Sequence, residues 1–276
     1  MRDVFAHLLR ASLSATALLA FGCNGSPETS APVEVAAPAD PGAAPEAPKG
    51  RIALRIYDLT LPAGSFTEGS ELWRVVDEQA FGTTRSANLW ANGIRAGTGD
   101  LRDLDRVADA LGTAEAPTTL LVSPDGNTRS HEIDRGVAEV ENFGQQTLFW
   151  FSADGSPRGR TYTDCRNFLS VSMLPSPDDL EAVRVEFAPI VRSTRTRLDV
   201  RKDGSDYAVE QVRDEAVFDL RLALEVRVGD FLLIAPSPDA SRTTSIGHNF
   251  FTGVEPGRPV ERAVLVIPQR LTLTRQ

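Results

Sequence analysis

The strongest constraint on the fold is a strict alternation late in the chain. Phe218, Leu220, Leu222, Leu224, Val226 and Val228 are apolar, and Asp219, Arg221, Ala223, Glu225 and Arg227 stand between them. A period of two places the apolar set on one face of a strand and the charges on the other. The spacing predicts a half-buried strand over 218–228. Gly229-Asp230 predicts a turn, and the apolar run 231–235 predicts a returning strand, so the pair reads as a hairpin. Eleven alternating residues also match the length of a strand that crosses a bilayer. No other segment matches that length, and the pattern is read as one strand of a half-solvated globular sheet.

The flanking sequence is β-rich as well. Residues 118–122 predict a strand closed by a turn at 124–127, and 147–151 an aromatic strand closed by Ala153-Asp154-Gly155-Ser156. Leu169, Val171 and Met173 alternate with polar neighbours up to Pro175-Ser176-Pro177. Val183, Val185 and Phe187 make the next strand, and Asp203-Gly204 the next turn. Residues 264–267 predict a last buried strand, with Leu271 and Leu273 alternating after Pro268.

The stretch 51–112 is mixed. Ile52, Leu54 and Ile56 predict a strand. Ser70 is positioned to cap a helix over 71–79, with Leu72, Val75 and Val76 inward. A second short helix over 86–91 ends at Asn92-Gly93, and residues 94–96 read as extended. Asp100 caps a helix over 101–111 whose stripe is Leu101, Leu104, Val107, Ala108 and Leu111, stopped by Gly112. Gly97-Thr98-Gly99 before it reads as a glycine turn. It lacks the third glycine of a dinucleotide-binding loop, and Asp103 stands where close packing needs a small residue. Asp100, Asp103 and Asp105 read as an acidic first turn that complements the helix dipole.

The fold class expected is α+β and β-rich: a small α/β part over 51–115, then a mainly antiparallel sheet, sandwich- or secretin-like, over 116–276. Ahead of both lies different material. Arg2 and Arg10 flank a positively charged start, and residues 11–21 are apolar or small. Eleven residues suit a signal-peptide core and are too short for a bilayer-spanning helix, which needs about 20. Residues 24–50 carry six prolines and many alanines without periodicity. Such a segment buries too little to offset its ordering entropy, and at ~3.1 Å per residue it reaches roughly 80 Å when extended. The organisation expected is a signal peptide over 1–22, a Pro/Ala-rich tether over 23–50, and the two parts above.

Gly22-Cys23, with Leu19 upstream and the tether behind, resembles the lipobox of bacterial lipoproteins. Ala20 and Phe21 differ from the usual Leu and Ala or Ser, and Ala20-Phe21-Gly22 also fits an ordinary signal peptidase, which leaves secretion as the alternative. The resemblance implies lipid attachment at Cys23 and a membrane as partner. Asn24, rather than Asp, implies the outer membrane of a bacterial envelope. Over about 161–270, the order of pieces resembles the C-terminal β-domain of secretins. Residues 162–171 lead through a Pro turn to 183–189. The alternating strand and Gly229-Asp230 follow, then Ser245-Ile246-Gly247-His248-Asn249-Phe250-Phe251, and a strand ending in Ile267-Pro268. Ala235-Pro236 stands where secretins have Gly-Gly, and the repeated ring domains are absent. The resemblance implies an envelope complex or a homo-oligomer as partner.

Charge and chemistry narrow the rest. A net charge of −9 and a pI near 5.0 exclude non-specific nucleic-acid binding. Lys49 and Lys202 are the only lysines beside many arginines. Cys23 and Cys165 are too few for a disulfide framework or a cysteine zinc site. A Cys23–Cys165 bridge arises only if Cys23 stays free; otherwise Cys165 reads as a small buried hydrophobe. Downstream of the signal the histidines are His131 and His248. No metalloprotease, nucleophile-elbow or phosphate-loop motif occurs. Cys165 with a histidine, His248 with Asp230, or Asp178-Asp179 would make chemistry only if folding converged them. Trp73, Trp90 and Trp150 read as core. The function expected is a non-enzymatic structural or assembly module of the cell envelope, beside a secretin-like system. No cofactor, metal or catalytic residue is expected. A surface ligand- or polysaccharide-binding module is the alternative, and a hydrolase the third reading.

Overall fold

The computed structural model describes residues 51–68, 70–111, 118–122, 128–136, 145–176, 179, 181–193, 196–200, 207–211 and 215–271. Cys23, the tether, Gly112, the turns at 124–127 and Asp203-Gly204, Asp178 and Leu273 lie outside them. The chain is β-rich with antiparallel sheets and a few short helices, as its patterning requires.

One sheet carries β1 (Arg51–Pro62), β2 (Ile94–Asp100), β3 (Thr118–Val122), β13 (Asp230–Pro236) and β15 (Arg258–Leu271) in the order β2-β13-β15-β1-β3, with β14 (Thr252–Glu255) also on β15. The second sheet carries β4 (Arg129–Gly136), β7 (Cys165–Pro175), β8 (Ala182–Ser193), β11 (Glu215–Ala216) and β12 (Leu222–Arg227), ordered β11-β8-β7-β4 with β12 also on β8. Two shorter ribbons accompany them, β5 (Gln145–Phe151) with β6 (Pro157–Thr163), and β9 (Thr196–Val200) with β10 (Tyr207–Gln211). Leu54, Ile56, Leu232, Ile234, Val264 and Val266 of the first sheet share one core with Leu169, Val171, Met173, Val183, Val185 and Phe187 of the second. The opposite face of the first sheet buries Leu59, Phe231, Leu233, Leu265 and Ile267 under Leu72 and Trp73 of α1 (Ser70–Trp73) and Leu104 and Val107 of α3 (Leu104–Leu111). The layers are therefore helices, sheet and sheet. β13 is apolar from Phe231 to Pro236 because both of its faces are covered there.

Several expectations are corrected. The alternating stretch does not form a hairpin with 231–235. β12 pairs with β8, whereas β13 pairs with β2 and β15, so Gly229 carries the chain from one sheet to the other. The strand is also shorter than predicted, since Phe218–Leu220 is a 3-10 turn. Pro189 on β8 has no N–H to extend the ladder, and Val217 N donates to its carbonyl instead at 2.9 Å. The helix expected over 71–79 ends at Trp73, because Asp77 bridges to Thr98 of β2, and a 3-10 turn follows at Glu78–Phe81. Gly97-Thr98-Gly99 is no turn but the middle of β2. A Cβ on Gly99 would meet the Phe231 ring at 2.3 Å, and one on Gly97 would meet Val76 at 2.5 Å. Asp100 caps as predicted, accepting from Arg102 N, although the first turn, Leu101–Asp103, is 3-10. Pro268 does not end the last strand, which pairs with β1 as far as Leu271. Strands from both sides of residue 115 are hydrogen-bonded in one sheet.

Candidate functional site

Buried polar side chains collect at the end of the sandwich where β13 finishes. The helix α2 (Thr83–Ala91) stops there, capped by Asn92 and followed by Gly93 with φ of 82°, and the Asn92 side-chain amide pairs with the Phe151 backbone. Its Oδ1 accepts from Phe151 N at 2.7 Å and its Nδ2 donates to Phe151 O at 3.0 Å. Asn88 Nδ2 donates to Phe151 O and Ser152 O. Deeper in, Gln146 and Asn167 exchange amide hydrogen bonds at 2.6 and 3.0 Å, and Asn167 Nδ2 reaches Asn249 O of α4 (Ile246–Phe251). Ser245 Oγ caps α4 by accepting from His248 N. Paired amides of this kind remove the desolvation cost of their own burial and fix one geometry.

What they fix is the two-stranded ribbon of β5 with β6. Its inner face buries Gln146, Leu148 and Tyr162. Its outer face presents Phe149, 54% exposed, over its cross-strand partner Gly159, where an added Cβ would meet the ring at 2.5 Å. The next pair on that face, Thr147 and Thr161, joins hydroxyls at 3.0 Å. Phe151 continues the face into a shallow groove of about 370 Å³ lined by Thr84, Asn88, Ala91, Ala153, Asp154 and Gly155. A second hollow of about 310 Å³ shares Thr84, Asn88 and Ala153 and extends the groove past Gly82 and Arg85. The Asp154 carboxyl is held well below the usual carboxylate range by hydrogen bonds from Ser152 and Ser156. Burial pushes the Arg85 guanidinium down, against the charge of Asp219.

The residues weighed from sequence do not meet. Cys165 is buried, and its polar neighbour is Gln146 Nε2 at 3.2 Å; burial raises its thiol pKa, which disfavours a thiolate. His248 Nδ1 lies 2.9 Å from Ala240 O, near the finish of β13, while Asp230 opens the other end of that strand. His131 Nε2 lies 3.3 Å from Thr119 Oγ1, between the two sheets. Asp179 pairs with Arg227 and accepts from Glu181 N. Asp100 is engaged by Arg102, and Asp103 by Arg106. Among the described residues, no group of three or more His, Cys, Asp or Glu side chains could hold a metal ion.

The tryptophans divide. Trp73 is core, its indole donating to Phe66 O, and Trp150 donates to Asp219 Oδ2. Trp90 is 37% exposed and stacks on Arg95, which lies between it and Trp73 and pairs with Glu78. Sequence reasoning missed Arg135. It is the extra residue of a bulge in β4, its side chain is 1% exposed, and among the described residues it pairs with Asp58 at 2.6 Å and lies over the Phe251 ring. Its Nε and Nη2 have no acceptor among the described residues. It also missed Phe149 and the groove: Phe149 falls in the strand read over 147–151, but β6, which brings Gly159 opposite it, was not read from the sequence. No helix among the described residues is long and apolar enough to cross a membrane. Comparison with protein-family models, with curated proteins and with solved structures finds no match to this chain.

Proposed function

We propose that the chain is an extracytoplasmic lipoprotein, attached to the bacterial envelope through Cys23, whose folded body works as a non-enzymatic interaction module. The observation that carries this reading is the β5–β6 ribbon. It is locked to the body by Asn88 and Asn92, yet it turns an aromatic face to solvent. A rigid mount beneath an exposed apolar side chain suits contact with something outside the chain. The tether of residues 24–50 leads into Arg51, the first residue of β1, which suits a body held at a distance from a membrane. The outer membrane and a secretin-type complex as partner rest on the sequence resemblances alone.

Metabolic labelling with a palmitate analogue tests the anchor. Wild type takes up label and floats with membranes, and Cys23→Ser does neither. Unlabelled wild-type protein in the medium would refute lipid attachment. Ring oligomers, or co-purification with an envelope channel, support the secretin-type complex; a strict monomer without such a partner removes it. A second reading, a surface module that captures a ligand, is favoured by Phe151 lining a groove and by the exposed Phe149 on the same strand face.

A further inference from the structure

We propose that β3 is a pairing edge. Its outer side takes β3 of a second copy of this chain, antiparallel and centred on Leu120, so that the first sheet runs on from one body into the other. The inference goes beyond the anchor and does not need it. β3 closes the order β2-β13-β15-β1-β3, and among the described residues no strand pairs with its outer side. β4, the next strand in the chain, lies in the other sheet and meets β3 through His131 and Thr119.

An open row of N–H and C=O groups is a template for another strand, and proteins blunt such edges with charge, proline, bulges or a covering segment. Edges elsewhere in this fold are blunted. Thr98 of β2 exchanges backbone hydrogen bonds with Asp77, at 2.7 and 3.2 Å. β4 carries Arg129, Glu132 and Asp134 and ends in the bulge at Arg135. β6 opens on Pro157 and carries Arg158 and Arg160. β12 carries Glu225 and Arg227. β3 (Thr118–Val122) has no charge, no proline and no bulge, and its Leu120 is 48% exposed.

Three observations name the occupant. The strand is self-complementary: with Leu120 opposite its own mate, Thr119 falls opposite Leu121 of the second copy, and no charge meets a charge. Thr119 pairs with Ile56 and Leu121 with Leu54, and Leu121 packs on the core that both of those residues join. Across the joint the row reads Ile56, Thr119, Leu121, Leu54, so the apolar layer between the sheets continues through both bodies. The second observation is charge. A net charge of −9 makes copies repel, and the β3 side chains add nothing to that repulsion. The third is the chain ahead of the body. Leu120 lies opposite Arg55, four residues beyond Arg51. Four residues at ~3.3 Å, with three strand spacings of ~4.8 Å, put the two copies of Arg51 about 30 Å apart. Residues 24–50 span roughly 80 Å when extended, so on the anchor reading both copies reach one membrane while paired. Five residues a side is far fewer than the roughly 20–30 of a standard interface, so the pair is weak and fills as copies are concentrated.

The test uses the full chain carrying Cys23→Ser, which leaves buried Cys165 as its cysteine. Leu120→Cys sets two thiols opposite each other across the two-fold, at a Cα separation of about 4.5–5.5 Å that accepts a disulfide. Thr119→Cys puts its own mate roughly 8 Å away, beyond the ~7 Å limit. Under mild oxidation Leu120→Cys is expected to yield about tenfold more disulfide dimer than Thr119→Cys, rising with protein concentration and with salt, which screens the repulsion. Both variants keep the parent melting temperature, which separates a failed pair from a failed fold. Without oxidant, the parent sediments as a monomer–dimer mixture that shifts with concentration, and Leu120→Lys holds it at the monomer. A Leu120→Cys chain that stays monomeric at every concentration, or that crosslinks no better than Thr119→Cys, overturns the pairing and leaves the edge to a different strand. Palmitate labelling of Cys23 is read separately, so loss of the anchor and loss of the pair are told apart.

Discussion

Replacing Glu261 puts a number on the device that holds the helical layer to the sheet. Glu261 sits on β15 opposite Leu61 of β1 and is only 4% exposed. Its Oε1 accepts from Gly64 N at 2.9 Å and Thr67 Oγ1 at 2.6 Å, and its Oε2 from Phe66 N at 2.7 Å and Thr67 N at 3.2 Å. One carboxylate thus satisfies three backbone donors of the loop after β1, where Gly64 adopts φ of 91° and Phe66 is fully buried. Glu261→Ala orphans all three N–H groups. At ~1–3 kcal/mol for each buried donor left unmade, partly relieved by water at the loop surface, the loss is about 3–5 kcal/mol. Glu261→Gln keeps one acceptor and points an NH₂ at donors, for about 2–3 kcal/mol. Thr67→Val deletes one side-chain bond and costs about 1 kcal/mol. Urea unfolding followed by tryptophan fluorescence measures all three. Trp73 reports the loop directly, since its indole donates to Phe66 O at 2.8 Å. The denaturant slope stays constant if only the native state is weakened. The reasoning fails if Glu261→Gln lies within about 0.5 kcal/mol of wild type, the scatter of an ordinary surface change.

Three further outcomes follow from other parts of the structure. A Cβ on Gly247 would lie 1.9 Å from Gly93 O, backbone against backbone. Gly247→Ala therefore costs roughly 3 kcal/mol in the same unfolding assay, whereas Gly257→Ala, at φ of 76° with open space around it, costs only about 1 kcal/mol. Hydrogen bonds from Arg102 lower the Asp100 carboxyl to about 2. Its folded pKa lies below the unfolded one, so the cap's contribution is whole above about pH 4 and fades as pH falls through about 2. A carboxyl-carbon NMR titration of Asp100 with an ordinary midpoint contradicts this. Burial raises the Cys165 thiol. Modification by a thiol reagent at pH 8 should be slow in the native protein and fast in urea, and equal rates would show an accessible site.

Alternation made the strands legible but not their partners. The inward residues of β7 and β8 could be read from a period of two, because each strand has one covered face. β13 was visible as an apolar run for the opposite reason, two covered faces. Neither pattern says which sheet a strand joins, so a short glycine link between apolar segments looks the same whether it folds the chain back or passes it across the core. The glycines of β2 misled in a similar way. They suggest a turn locally, yet the space they leave is filled by Phe231 and Val76, more than a hundred residues after and about twenty before them. The bulge at Arg135 and the mate of Asn92 depend on contacts that no local window contains. The aromatic strip was half legible: the strand over 147–151 and the turn after it were readable, but β6 and the register that sets Phe149 on Gly159 were not.

The position of β1 has a mechanical consequence. It runs antiparallel to β15 over twelve registered pairs, from Arg51 with Leu271 to Pro62 with Val260, and β3 flanks it on the other side. A pull delivered through the residues ahead of Arg51 acts along the strand. It must shear the whole ladder at once instead of peeling one hydrogen bond after another. Under the proposed attachment through Cys23, Arg51 would be the grip of a load-bearing joint, and the ladder of β1 with β15 would carry the load.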